Sequence, residues 1–172
     1  MKETILVVGG CRSGKSSHAL LLAEQMSGQK LFIATCKPQD KEMEQRVSSH
    51  RQQRNNTWNT IEVPIFLPEA INTHGLKNHV ILVDCLTLWI NNLIMDDQNP
   101  AEIDGHILEL TRSLDKSECS VILVSNEVGC GIVPENKLAR FFRDVVGFAN
   151  QKVADCVDRV IWMVAGIPVK IK

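Results

Sequence analysis

Thr4-Ile-Leu-Val-Val-Gly-Gly-Cys-Arg-Ser-Gly-Lys-Ser-Ser17 is the stretch that decides the fold: a β-branched run meets G-x-x-x-x-G-K-S, and a helical pattern follows at once. This is a P-loop in its proper setting. Gly9 and Gly14 permit a tight path on which successive backbone N–H groups point inward, and the next helix adds partial positive charge at its N-terminus. The run Gly9-Gly10-Cys11-Arg12-Ser13-Gly14-Lys15-Ser16 is therefore expected to cradle the phosphates of a nucleoside triphosphate. Lys15 is expected to reach the outer phosphates as a catalytic cation, and Ser16 a magnesium ion.

Outward from this motif, short apolar runs alternate with helical patterns, the signature of a parallel sheet covered by helices. The first strand is expected near Thr4 to Val8, and its helix from about Gly14 to Ser27, with Ala19, Leu22, Ala23 and Met26 on one apolar face. Lys30 to Thr35 reads as a strand, Asp40 caps a helix running to about Arg54, and Thr57 to Val63 reads as a further strand ended by Pro64. Asn78 to Asp84 is a buried-strand pattern closed by an acid. That acid is the natural Walker B candidate, because a carboxylate at the carboxyl end of such a strand can hold magnesium beside the P-loop, a reading favoured over an acid that merely caps the next helix. Helices are expected from Leu86 to Met95 and from about Pro100 to Asp115, and a strand from Ser120 to Ser125. Pro134 suits the first turn of a long helix running towards Asp155, whose stripe of Leu138, Phe141, Phe142, Val145, Val146, Ala149 and Val153 reads as core or subunit interface. Arg159 to Val164 and Pro168 to Ile171 read as a closing hairpin around Ala165-Gly166. The expected fold class is α/β of the P-loop NTPase type, RecA-like, with a mostly parallel sheet, flanking helices and a short C-terminal hairpin.

Composition narrows the class further. The 172 residues suit one domain spanning 1–172, and 19 basic against 20 acidic residues argue against a nucleic-acid-coating protein. Cys11, Cys36, Cys85, Cys119, Cys130 and Cys156 form no C-x-x-C pair, so neither a zinc knuckle nor a disulfide framework is suggested. Reduced thiols and the lack of any apolar run long enough for a transmembrane segment point to a cytoplasmic protein.

A P-loop serves switches, motors and small-molecule kinases alike. The only Asn-Lys pair, Asn136-Lys137, continues Leu138-Ala139 rather than a guanine-reading N-K-x-D, and the chain is short for a motor. A transferase acting on a small molecule fits best. The segment Glu42 to Arg54 sharpens this, since Glu42, Arg46, His50 and Arg54 fall at successive i, i+4 positions and make one polar stripe on a helix. A neutral imidazole flanked by guanidiniums is a competent nucleophile towards phosphorus, and the arginines disfavour protonation of the ring. The same stripe also suits a solvated helix face on which His50 is incidental. A kinase without a nucleotidyl intermediate and a nucleotide-binding regulatory protein stay open on this reading. Asn126 and Glu127 form a polar pair at the mouth of a strand, near the expected ligand crevice.

Taken together, these residues resemble the bifunctional adenosylcobinamide kinase/adenosylcobinamide-phosphate guanylyltransferase family of cobalamin biosynthesis. The resemblance runs along nearly the whole chain: Gly9 to Ser16 with Arg12 inside the loop, Ile33-Ala34-Thr35, the pattern on Glu42, Met43, Arg46, His50, Arg51, Arg54 and Trp58, the intact Asn126 to Asn136, and Ala165-Gly-Ile-Pro-Val-Lys-Ile-Lys172. Asn55 stands where the family usually has proline, Cys11 where alanine is common, and Ala165 where serine is frequent.

The resemblance implies two reactions, phosphorylation of adenosylcobinamide by ATP or GTP and transfer of GMP from GTP onto adenosylcobinamide phosphate through a guanylylated histidine at the position of His50. It also implies guanine-nucleotide contacts at the P-loop and at Thr35, Cys36, Lys37, Gln52, Gln53, Arg54, Glu62 and Asp84, with magnesium at Ser16 and Asp84, and a homotrimeric assembly.

Overall fold

The computed structural model describes residues 2–37, 57–96 and 99–172. Its strands are β1 (Thr4–Gly9), β2 (Gln29–Ala34), β3 (Trp58–Glu62), β4 (His79–Asp84), β5 (Ser120–Asn126), β6 (Arg159–Val164) and β7 (Ile167–Lys170). Its helices are α1 (Lys15–Gln25), α2 (Leu67–His74), α3 (Leu86–Met95), α4 (Pro100–Lys116) and α5 (Lys137–Cys156). The strands form one sheet in the order β3-β2-β4-β5-β1-β6-β7, parallel except for β7, which returns antiparallel on β6. The expected mostly parallel sheet with a closing hairpin is what this chain builds.

The central strands are apolar without interruption because both faces are covered. Along β1, Ile5 and Val7 join one core with Ala19 and Ala23 of α1, whereas Leu6 joins the opposite core. β4 divides in the same way, Val80 and Leu82 towards α1, Ile81 and Val83 towards the face covered by α2, α3, α4 and α5. Full burial of each such side chain is worth about 1.5–3 kcal/mol. The largest of them, Trp89 on α3, also satisfies its polar edge, its Nε1 donating to the Ile65 carbonyl at 2.6 Å.

Register brings the chemistry to one edge. Gly9 pairs with Asn126, and Asp84 with Val124, so the P-loop and the acid both open at the carboxyl end, separated only by β5. Two elements differ from the sequence expectation. α2 was not expected; it starts after Phe66 without a side-chain cap, with Pro68 in its first turn. α5 starts at Lys137 rather than at Pro134, because Asn136 is the N-cap and its Oδ1 accepts from Ala139 N at 3.0 Å. Leu138, the first member of the expected stripe, is half exposed, while Val146, Ala149 and Val153 are in the core. The helix expected from Asp40 to Arg54 lies outside the described residues.

Candidate active site

The cradle is built from the chain's own geometry. Gly9 runs so close to β6 that a Cβ there would sit 2.6 Å from the Met163 carbonyl oxygen and 2.7 Å from Ser13 Oγ. Gly14, at φ 91°, is the left-handed N-cap from which α1 begins. Ser13 N donates to Gly10 O at 3.3 Å, closing the loop, and Gly166 N in the β6–β7 turn donates to Ser13 O at 3.1 Å from outside. The Ser13 hydroxyl is buried and has no hydrogen-bond partner among the described residues. Lys15 is 8% exposed, and its Nζ donates to the Gly10 carbonyl at 2.6 Å. Burial pulls the Lys15 pKa below its ordinary value, and the nearby Cys85, Asp84 and Cys11 only partly oppose this. A buried ammonium held by one neutral carbonyl is poised for an anion.

Cys11 to Ser17, Asp84, Cys85, Val124 and Asn126 line one cleft of about 460 Å³. The structure therefore brings together the P-loop and Asp84, as the sequence anticipates. Ser16 and Asp84 present hard oxygen donors to the same space, and no group of three His, Cys, Asp or Glu side chains is arranged to hold a metal ion among the described residues. Such a sparse set suits magnesium, which keeps several waters and takes phosphate oxygens alongside one or two protein ligands.

Asp84 is held by a brace that was not legible in the sequence. Thr35 is fully buried, and its Oγ1 accepts from Cys85 N at 2.8 Å and donates to Cys85 O at 2.7 Å. Asn92 on α3 donates to the carbonyls of both Thr35, at 2.7 Å, and Pro64, at 3.0 Å. The Thr35 hydroxyl thus faces the backbone beside Asp84. Thr87 holds the other wall, its Oγ1 accepting from Asn126 N at 2.7 Å, and Asn150 on α5 donates to Asn126 O at 3.1 Å.

Cys36 lies at the outer side of this wall. Burial, then Asp84 and Glu62, raise its thiol pKa, which places Cys36 between the two acids. Burial first, then Asp84, pushes Cys85 up to about 12, an inert thiol. Lys37 and Glu62 are exposed at the same end of the sheet. His50, Gln52, Gln53, Arg54 and Asn55 lie outside the described residues.

A second cleft of about 340 Å³ lies on the other flank of the P-loop, lined by Gly10 to Ser13, Glu127, Cys130 and Trp162 to Ala165. Among the described residues no helix is long and apolar enough to cross a membrane, and the six cysteines are free.

Comparison with known proteins now bears on this geometry. The model of the family CobU, cobinamide kinase / cobinamide phosphate guanyltransferase, matches residues 5–171. The chain belongs to this family. Among CobU relatives, the bifunctional adenosylcobalamin biosynthesis protein CobU of Escherichia coli (strain K12) is 43% identical over 180 residues, covering 98% of this chain and 99% of the relative. The bifunctional adenosylcobalamin biosynthesis protein CobP of Pseudomonas aeruginosa is 39% identical over 167 residues, covering 97% of this chain and 96% of the relative. CobU membership makes this chain a bifunctional enzyme of cobalamin biosynthesis. Solved structures extend the likeness of fold alone. A prototypical ATPase from the type III secretion system of pathogenic bacteria superposes with TM-score 0.61 at 11% identity, over 98% of this chain and 56% of that one. PH0250 from Pyrococcus horikoshii OT3 gives TM-score 0.61 at 10% identity, over 99% and 86%.

Proposed function

We propose that this chain, as a single domain, phosphorylates adenosylcobinamide with ATP or GTP and then transfers GMP from GTP to adenosylcobinamide phosphate through a guanylylated His50. The observation that carries the reading is the buried, under-satisfied Lys15 sharing a cleft with Ser16 and Asp84, in a chain that matches the family from residue 5 to 171. In the first reaction the acceptor hydroxyl oxygen attacks the γ-phosphorus, the bond to the β–γ bridging oxygen breaks, the nucleoside diphosphate leaves, and the hydroxyl proton passes to water. Lys15 and the loop N–H groups offset the charge that spreads over the phosphoryl oxygens. Ser16 and Asp84 would hold magnesium, which when bound supplies further charge neutralisation on the phosphates.

In the second reaction a His50 ring nitrogen attacks the α-phosphorus of GTP and pyrophosphate leaves with the α–β bridging oxygen. A phosphate oxygen of the corrinoid then attacks the same phosphorus and releases His50, so one difficult displacement becomes two easier ones. Cys36, Lys37, Gln52, Gln53, Arg54 and Glu62 are proposed as the guanosine side of that site, and Thr35 as the brace behind it. The enzyme is proposed to be cytoplasmic and homotrimeric.

Incubation with α-labelled GTP followed by denaturation tests the reading directly. Acid-labile, alkali-stable label is expected on the wild type and none on His50→Ala. Label that persists in His50→Ala, or a wild type that takes none, overturns the covalent route.

A further inference from the structure

One phosphate cradle faces two demands under the proposed function, on which this inference rests. Phosphorylation requires the γ-phosphorus to face the acceptor, whereas guanylyl transfer requires the α-phosphorus to face His50. The loop grips phosphates through fixed backbone groups, so the part of the nucleotide that can change place is the nucleoside.

The proposed function puts the guanosine on one flank of the loop, and the structure holds a cleft on the other. On the β2–β3 flank Glu62 and Asp84 both pair with Ala34 from either side, and Cys36 follows two residues on. On the opposite flank is the 340 Å³ cleft, which shares Gly10 to Ser13 with the cradle and is walled by Trp162, Met163 and Val164. Trp162 is 41% exposed although it sits on β6 inside the sheet, between Val8 of β1 and Val169 of β7. An exposed indole beside a phosphate loop offers a face on which a base can stack. Glu127 closes the cleft opposite. Its N–H donates to Gly9 O at 2.9 Å, and Oε1 accepts from Gly129 N at 2.8 Å, which fixes the carboxylate at the loop. Among the described residues Oε2 has no hydrogen-bond partner, and it can accept from the amino edge of a purine.

We propose that the cleft between the P-loop and the β6–β7 hairpin seats the purine of the phosphoryl donor, while the guanylyl donor places its base on the β2–β3 flank. One phosphate cradle then serves two nucleoside seats. Switching reactions becomes a matter of which seat is filled, and the Lys15 grip stays the same.

Calorimetry on the full chain separates the seats, with adenylyl imidodiphosphate as the nucleotide and inorganic tripolyphosphate as a ligand of the cradle alone. Trp162→Ala is expected to weaken the imidodiphosphate about tenfold and leave tripolyphosphate unchanged. The initial rate of labelling from α-labelled GTP is expected to stay at the wild-type level, and Trp162→Phe to restore most of the binding. Glu127→Gln gives an independent reading, with a smaller loss for the imidodiphosphate alone. Unchanged or unmeasurable imidodiphosphate binding overturns the proposal, as does a parallel loss of tripolyphosphate binding or of labelling. A wild type that takes no label overturns the covalent route, and the two calorimetric arms still decide the cleft.

Discussion

Two clefts of nearly equal volume open at opposite ends of the same strands, about 460 Å³ at the carboxyl end and about 450 Å³ at the amino end. Volume does not tell them apart, but the state of their charges does. At the amino end Lys2 Nζ donates to the carbonyls of Leu114 and Asp115 at 3.1 and 3.0 Å, and Glu3 accepts from Arg159 at 3.1 Å. Beside them Asp158 Oδ2 accepts from Thr4 N at 2.7 Å and Thr4 Oγ1 at 2.8 Å. At the carboxyl end Lys15 is desolvated against one neutral carbonyl, and the Ser13 hydroxyl has no partner among the described residues. Satisfied charge holds a fold together; unsatisfied charge waits for a ligand.

The sharpest way to break this contrast is Lys15→Met. Nucleotide turnover is expected to fall roughly 10²–10³-fold, the scale for removing a donor aimed at developing phosphate charge. The thermal midpoint is expected to stay level or rise, because a desolvated cation with no direct ion-pair partner among the described residues is removed. A fall of several degrees would mean that Lys15 belongs with the structural charges. Thr35→Val tests the brace behind Asp84. It leaves the buried N–H of Cys85 without its partner, while the Cys85 carbonyl keeps Trp89 N, so urea unfolding is expected to show a loss of about 1–3 kcal/mol, largely recovered by Thr35→Ser.

The smallest effect belongs to the amino end. Asp158→Ala is expected to cost about 1 kcal/mol and leave turnover unchanged. Hydrogen bonds from Thr4 hold the Asp158 carboxyl below its ordinary 3.8, so its contribution is present above that value and fades as pH falls through the lower folded value. Wild-type and variant stabilities, measured by urea titration from pH 6 downwards, are expected to begin to converge as pH falls below 3.8 and to meet below the folded value. A gap that stays constant into acid would show that the charge is not what Asp158 contributes.

What could be read in advance was local. Gly9 to Ser16 declares its own backbone path, and the apolar runs of β1, β4 and β5 announce burial on both faces, so the sheet and the site edge were legible. The start of α5 was misplaced because Pro134 and Asn136 are both good start signals two residues apart, and only the bond from Ala139 N to Asn136 decides between them. α2 was missed because it spans eight residues and has no side-chain cap to mark its start. Thr35 was expected at the nucleotide, yet its hydroxyl binds Cys85, 50 positions away, and Asn92 reaches Thr35 across 57. No spacing rule sees such contacts. Trp162 carried no motif at all, and its place beside the P-loop follows only from β6 lying next to β1. The His50 stripe lies outside the described residues and rests on sequence and family alone.

The position of β1 also has a consequence in time. Leu6 pairs with Leu123 on one side and Val160 on the other, and the loop behind it is latched from Gly166. A ribosome therefore makes the P-loop early but cannot finish it until β6 and the hairpin turn have emerged. Any ligand of the finished loop stabilises the folded form by mass action. A chain cut short before the hairpin carries the whole motif but lacks the β6 neighbour of β1 and the Gly166 latch on Ser13.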